Sequence, residues 1–428
     1  MRSRILRTLP IVALGVALVL GAVAARADAP AIQHRLTIAD PAPAPASSEG
    51  DFFGQTVGLA DIDGDGVPDV VAPRTTDAYV FSGATGDVLL HLTVPDPQAD
   101  LHFGGIAVSD LDGDGHDDII VGAPLSDGFE GRVYVFSANT GALEFKLSAP
   151  DAGVQSEIGQ SLAIVTRGHA VDLLVGAPGA TVDGLSSAGA IYVYSGETQA
   201  LERTITSPTP QQGEGFGFSL ALGSRQSVIA VDAIDARIEA QPAAGRVYLL
   251  STDGLALGAI DNPDPTGMMF FGAALDIADA GGKSPSLAIG SLSRNLGGPG
   301  EVDLYEGTTL RHTLTTPGPQ TQSDFGLSLA FVSDGDGDDE TLIVAAPLEQ
   351  AANGAFGRLY EFGANGTLLG TIDPPSAADL GFGFPLTFAD DHCGGILTAG
   401  APGAGIGGLI EVFALGRNGL ARGRCGAQ

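Results

Sequence analysis

Hydrophobic positions come in β-branched runs of four to six residues, divided by clusters of Gly, Pro, Asn and Asp. Ile119-Ile120-Val121-Gly122-Ala123-Pro124 followed by Arg132-Val133-Tyr134-Val135-Phe136 is typical. Such runs predict strands, and the short turns between them predict antiparallel pairing. After the first 27 residues no segment has a convincing helical period. The runs also recur as a unit. Phe53-Gly54, Phe103-Gly104, Ile158-Gly159, Phe216-Gly217, Phe271-Gly272, Phe325-Gly326 and Phe382-Gly383 are spaced by 50, 55, 58, 55, 54 and 57 residues. Each pair leads the same order: an apolar stretch, a turn, a β-branched run ending near Ala-Pro, a Gly-rich loop, and an alternating run with Tyr or Phe. A closing run before a proline, such as residues 90–94 or 311–314, brings the count to four strands per unit.

Small four-stranded sheets cannot hide both faces alone, and radial packing removes long exposed edges. The expectation is an all-β fold, a seven-bladed β-propeller of four-stranded antiparallel blades. The seventh unit stops after residues 409–413 without a closing strand, whereas His34-Arg35-Leu36-Thr37-Ile38 precedes the first unit with nothing to join. The N-terminal strand is therefore predicted to complete the last blade and close the ring, with an open stack of repeats as the alternative.

Composition narrows the setting. The 428 residues carry 51 acidic and 20 basic side chains, a formal charge of −31, with Gly 63 and Trp 0. So acidic a chain has too few cations to displace phosphate counterions, so nucleic acid is excluded as an expected partner and cations are favoured. Arg2, Arg4 and Arg7 precede an apolar run that ends at Ala25-Arg26-Ala27, the pattern of a cleaved secretory signal over residues 1–27. An uncleaved anchor is the alternative, at the short limit for spanning a bilayer. The expected mature chain, 28–428, is then one domain with no membrane span, a monomer, secreted or periplasmic. In that compartment Cys393 and Cys425, the two cysteines, read as one disulfide, with two free thiols as the alternative.

Two loops carry the clearest chemistry. Asp61-Ile62-Asp63-Gly64-Asp65-Gly66-Val67-Pro68-Asp69 and Asp110-Leu111-Asp112-Gly113-Asp114-Gly115-His116-Asp117-Asp118 both read D-x-D-x-D-G-x-x-D between the first and second strands of units one and two. Ca²⁺ takes six to eight hard oxygens at about 2.3–2.6 Å, and alternate Asp side chains on a tight turn supply them. The expected ligands are the side chains of Asp61, Asp63, Asp65, Asp69, Asp110, Asp112, Asp114 and Asp118. The backbone carbonyls of Val67 and His116 complete the set. Without a cation such carboxylates repel and raise one another's pKa, which makes the loop a poor plain turn. An EF-hand is the other reading, but strands rather than helices flank these loops. In unit six, Asp334, Asp336 and Asp338 have either the spacing or the phase of this pattern but not both, so a weaker third site stays open there. The corresponding turns of units three, four, five and seven lack the ligands.

Phe103-Gly104, the 110–118 loop and Gly122-Ala123-Pro124, echoed by Gly176-Ala177-Pro178 and Gly400-Ala401-Pro402, resemble FG-GAP repeats, which form the propeller of integrin α subunits. The resemblance runs over nearly all of the mature chain. It implies Ca²⁺ in the acidic loops on one face and protein recognition on the opposite face. Antiparallel connectivity places the second-to-third and blade-to-blade loops on that opposite face. The expected role is a secreted, calcium-binding interaction module for a protein or glycan ligand, without catalysis. A carbohydrate-active enzyme with its site at the propeller axis is the alternative, and a structural envelope protein is a third. Gly159-Gln160-Ser161, Gly217-Phe218-Ser219 and Gly326-Leu327-Ser328 start like nucleophile elbows, yet a serine repeated from unit to unit reads as structural, and no catalytic constellation stands out.

Overall fold

The computed structural model describes residues 31–43, 53–95, 101, 104–150, 155–168, 170–223, 226–278, 286–293, 298–318, 323–332, 341–351, 353–390, 395–404 and 407–416. The leader over 1–27, the 334–338 acidic run, Cys393 and Cys425 lie outside the described residues.

Seven four-stranded antiparallel sheets form a β-propeller. Blade 2 shows the plan: Ile106–Ser109, Asp118–Ala123, Arg132–Ser137 and Leu143–Leu147 pair in sequence order. The first strands of adjacent blades touch one another all the way round, so they line the axis. Burial then follows position in the blade. Second strands such as Asp118–Ala123, Thr341–Ala345 and Ile396–Ala401 are buried at every residue because a neighbouring blade covers each face. Outer strands keep only an inward residue covered, Leu92 in Val88–Thr93 and Ile260 in Ala256–Asp261. The second-to-third loop of blade 2 turns through Ser126–Phe129, where Asp127, Gly128 and Phe129 have positive φ.

The repeated motif now has a physical account. Phe53, Phe216, Phe271, Phe325 and Phe382 are fully buried, which contributes roughly 2–3 kcal/mol each. Each meets an aromatic ring of its own blade's third strand, as Phe53 meets Phe81 at 5.8 Å and Phe216 meets Tyr248 at 5.9 Å, edge to face. The glycine of the Gly-Ala-Pro segment, and Gly290 at the same place in blade 5, stands against the carbonyl of the glycine in the next blade's Phe-Gly or Ile-Gly pair. Gly122 faces Gly159, Gly176 faces Gly217, Gly290 faces Gly326, and Gly400 faces Gly54. A Cβ at any of the four would fall well inside van der Waals contact with that oxygen. Ser161 Oγ donates to the Gly217 carbonyl at 2.8 Å, and Ser328 Oγ accepts from Leu386 N–H at 2.8 Å. Both hydroxyls thus tie one blade to the next.

Closure is as the orphan strand predicts. Ala31–Ala39 pairs antiparallel with Leu409–Gly416, His34 opposite Phe413 and Ile38 opposite Ile410. The seam this creates has its own core, in which Ile410 and Val412 pack with Phe53, Val70 and Ala72 of blade 1. His34 Nε2 lies 2.6 Å from the buried Glu411 carboxylate, which also accepts from Thr37 Oγ1 at 2.7 Å.

A polar tie joins blades 5 and 6 near the axis. Asp276, on Met268–Ala278, accepts from Phe331 N–H at 2.7 Å and from Ile277 N–H at 2.8 Å. Burial pushes its carboxyl from 3.8 up to about 6. The folded ring holds a proton there that the unfolded chain has already released. Its contribution is complete below the unfolded value and is lost as pH rises through about 6. Asp276→Asn should therefore flatten this part of the stability curve in EDTA, by on the order of 2 kcal/mol over the window. Melting both proteins from about pH 4 to about pH 7 checks it, and parallel curves would show that Asp276 does not titrate there.

Candidate metal centre

Each acidic loop folds because its own carboxylates accept its own N–H groups. Asp61 takes Gly64 N–H and Gly66 N–H at 2.9 Å each, Asp63 takes Asp65 N–H at 3.0 Å, and Asp65 takes Val67 N–H at 2.8 Å. The second loop repeats the set. Asp110 accepts from Gly113 and Gly115 at 2.9 and 3.1 Å, Asp112 from Asp114 at 3.0 Å, and Asp114 from His116 at 2.8 Å. Gly64, Gly66, Gly113 and Gly115 have φ between 76° and 90°, a backbone region open to glycine and strained for other residues. Asp61, Asp63 and Asp65 bring one oxygen each to within 4.8 Å of one another, as do Asp110, Asp112 and Asp114, and these are the two such groups among the described residues. An oxygen-only set at a surface turn fits a hard divalent cation.

The ninth-place acids start the second strands and are buried, apart from these trios. Asp69 accepts Ile62 N–H at 2.8 Å, Asp63 N–H at 3.1 Å and Gly83 N–H at 3.0 Å, fastening the loop to the turn between the third and fourth strands. Burial outweighs those three donors and raises its carboxyl. Asp118 accepts Leu111 N–H at 3.0 Å. Burial, reinforced by Glu144 and Asp112, pushes it up to about 7. Glu144, on the outer strand Leu143–Leu147, was not legible as a neighbour of this loop, since only strand register brings it there. His116 is exposed and lines a cleft of about 240 Å³ between the loops with Ile62, Gly115, Asp117, Ala138 and Asn139.

Blade 3 is an internal control. Asp172 pairs across to Ser195 as Asp118 pairs to Ser137, so the two acids are equivalent. The acidic loop is replaced by a tight hairpin, and the carboxylate instead accepts Arg203 Nη2 at 3.2 Å, with Arg167 Nε at 4.0 Å. In blades 4 to 7 the same strand position holds Val228, Ser286, Thr341 and Ile396, and no charge is there to balance. Among the described residues an acid at this place thus comes either with a guanidinium, as in blade 3, or with an acidic loop, as in blades 1 and 2.

Fold and loops together define a repeat-built β-propeller with two acidic loops. The FG-GAP repeat family matches residues 104–136, the stretch holding the second acidic loop and Gly122-Ala123-Pro124. The chain is 30% identical over 202 residues to integrin alpha-4 of Xenopus laevis, covering 43% of this chain and 19% of that protein. It is 31% identical over 201 residues to integrin alpha-IIb of Mus musculus, covering 40% and 18%. Against integrin alpha pat-2 of Caenorhabditis briggsae it is 29% identical over 206 residues, covering 40% and 17%. The chain carries an FG-GAP repeat over 104–136 and is similar to integrin alpha subunits in its propeller, and the matched stretch spans under a fifth of the length of these relatives. Among the described residues no helix is long and apolar enough to cross a membrane.

Proposed function

We propose that this protein is an extracytoplasmic interaction module, a propeller stabilised by Ca²⁺ in the 61–69 and 110–118 loops, that binds a protein or glycan through the opposite face. The observation that carries the metal reading is the exchange between blades: the acid at the start of the second strand is balanced by Arg203 and Arg167 in blade 3, and in blades 1 and 2 it ends a loop that carries three converging carboxylates. The similarity to integrin α subunits supports the interaction role. The leader over 1–27, the mature domain 28–428, the Cys393–Cys425 pair and a weaker site at Asp334, Asp336 and Asp338 belong to the same reading. Exposed Phe129, Leu348 and Phe356 on second-to-third loops, with Leu380 on a blade-to-blade loop, give the ligand face apolar contact points. Probing protein and glycan arrays with the calcium-loaded chain should give binding without turnover. Cleavage of a polysaccharide would replace this reading by the enzymatic one.

A further inference from the structure

Every blade ends in an outer strand at the rim, and the seven rims differ in how they guard that edge. In each outer strand one residue is bulged out of register with the third strand: Arg35, Leu89, Glu144, Glu202, Leu257, Arg311 and Leu369. Arg35, Glu144, Glu202 and Arg311 are exposed charges, which discourage an open edge from pairing with another chain. Leu89 and Leu369 are half-buried. Leu257, in blade 4, is 58% exposed. The carbonyl that closes the turn before the outer strand belongs to Asp87, Ala142, Ala200 and Thr367 in blades 1, 2, 3 and 6. In blade 4 it belongs to Leu255, which is 69% exposed.

Blade 4 therefore has a rim without a guard. From Gly254 to Ile260 the edge reads Gly-Leu-Ala-Leu-Gly-Ala-Ile, with no polar side chain and little bulk to cover the backbone at Gly258 and Ala259. Among the described residues no strand pairs with the outer side of Ala256–Asp261. The apolar surface continues to either side. Arg203 of blade 3 donates to the Thr252 carbonyl at 3.2 Å, and Gly258 lies against Thr308 of blade 5, so the outer strands that carry exposed Leu201 and Leu310 adjoin this edge.

Charge selects the occupant. A chain of net charge −31 repels its own copies over most of its surface. At this edge the flanking acids are already answered from within the molecule: Asp253 pairs with Arg167 at 2.6 Å and Asp261 with Arg246. The segment is also close to symmetric about Leu257, with an aspartate four residues away on each side. Antiparallel pairing centred there sets Leu257 against its own counterpart and Leu255 of each copy opposite Ala259 of the other, large against small. It also brings the Asp253 pair of one copy to the Asp261 pair of the other, so no bare charge is met. Such a contact is self-complementary and closes on a two-fold axis. It inverts one propeller relative to the other, which keeps the acidic loops of the two copies on opposite sides of the assembly.

We propose that the outer strand of blade 4 is a dimerisation edge, pairing antiparallel with the same strand of a second copy, in place of the monomer expected from sequence. Sedimentation velocity of the full chain should show the mass doubling as concentration rises. Leu257→Glu, which installs the residue of blades 2 and 3, and Leu255→Thr, which installs that of blade 6, should each shift the transition to at least tenfold higher concentration. At a dilution where all are monomers their circular dichroism should match the parent's. Oxidation should link Leu257→Cys into a covalent dimer and leave Val88→Cys, exposed on the rim of blade 1, largely unlinked. A parent that stays monomeric, dimerisation unchanged in both leucine variants, or equal cross-linking from the two cysteine variants would overturn the proposal.

Discussion

Gly122→Ala should destabilise the ring by about 3 kcal/mol or more, one of the two largest effects expected of any small change. The added methyl would press on the Gly159 carbonyl, and both sides of that contact are backbone, so neither can move aside as a side chain would. Gly159 N–H is itself committed to the Gly176 carbonyl at 3.0 Å, so a shift propagates into blade 4's seam with blade 3. Ala345, at the same place in blade 6, already has a Cβ, and Ala345→Gly should cost only about 1–2 kcal/mol, from the buried methyl and the strand glycine. Thermal melts of both variants in EDTA decide the matter; equal melting temperatures would mean that the Gly-to-carbonyl contact is not what holds adjacent blades.

The second large effect concerns the loops. On the proposed function, about 1 mM Ca²⁺ and a dissociation constant near 10⁻⁴ M would stabilise the fold by about 1.4 kcal/mol per loop site, roughly 3 kcal/mol for the two. Asp61→Asn/Asp110→Asn should abolish this calcium-dependent gain; in the apo protein the relief of repulsion within each trio is offset by the loss of one of the two oxygens that accept the loop's N–H groups. Melting curves with Ca²⁺ and with EDTA measure both quantities. A calcium shift that survives the double substitution would remove these loops from the proposed function.

The spacing of the Phe-Gly pairs made the seven blades readable, because each fully buried ring marks the same point of its blade. The closing strand was readable for a negative reason: residues 34–38 had apolar alternation but no unit of their own, and they do lie against Phe413. Loop ligands were readable because they are close in sequence. What escaped the sequence depends on register across strands. Arg203 reaches Asp172 from the outer strand, 31 residues on, and Glu144 approaches Asp118 from another outer strand.

The pairing of Ala31–Ala39 with Leu409–Gly416 fixes the order in which the molecule can be finished. An element made near the start of synthesis has its partner near the end, so the earliest strand must wait, unpaired and partly apolar, until the final blade emerges. Assembly by sequential blade stacking is local and fast, whereas this last contact carries the full loop-closure entropy and commits the whole chain at once. A chain truncated before residue 409 would therefore leave two adhesive edges, one at each end of an arc, and would be prone to join a second copy rather than itself.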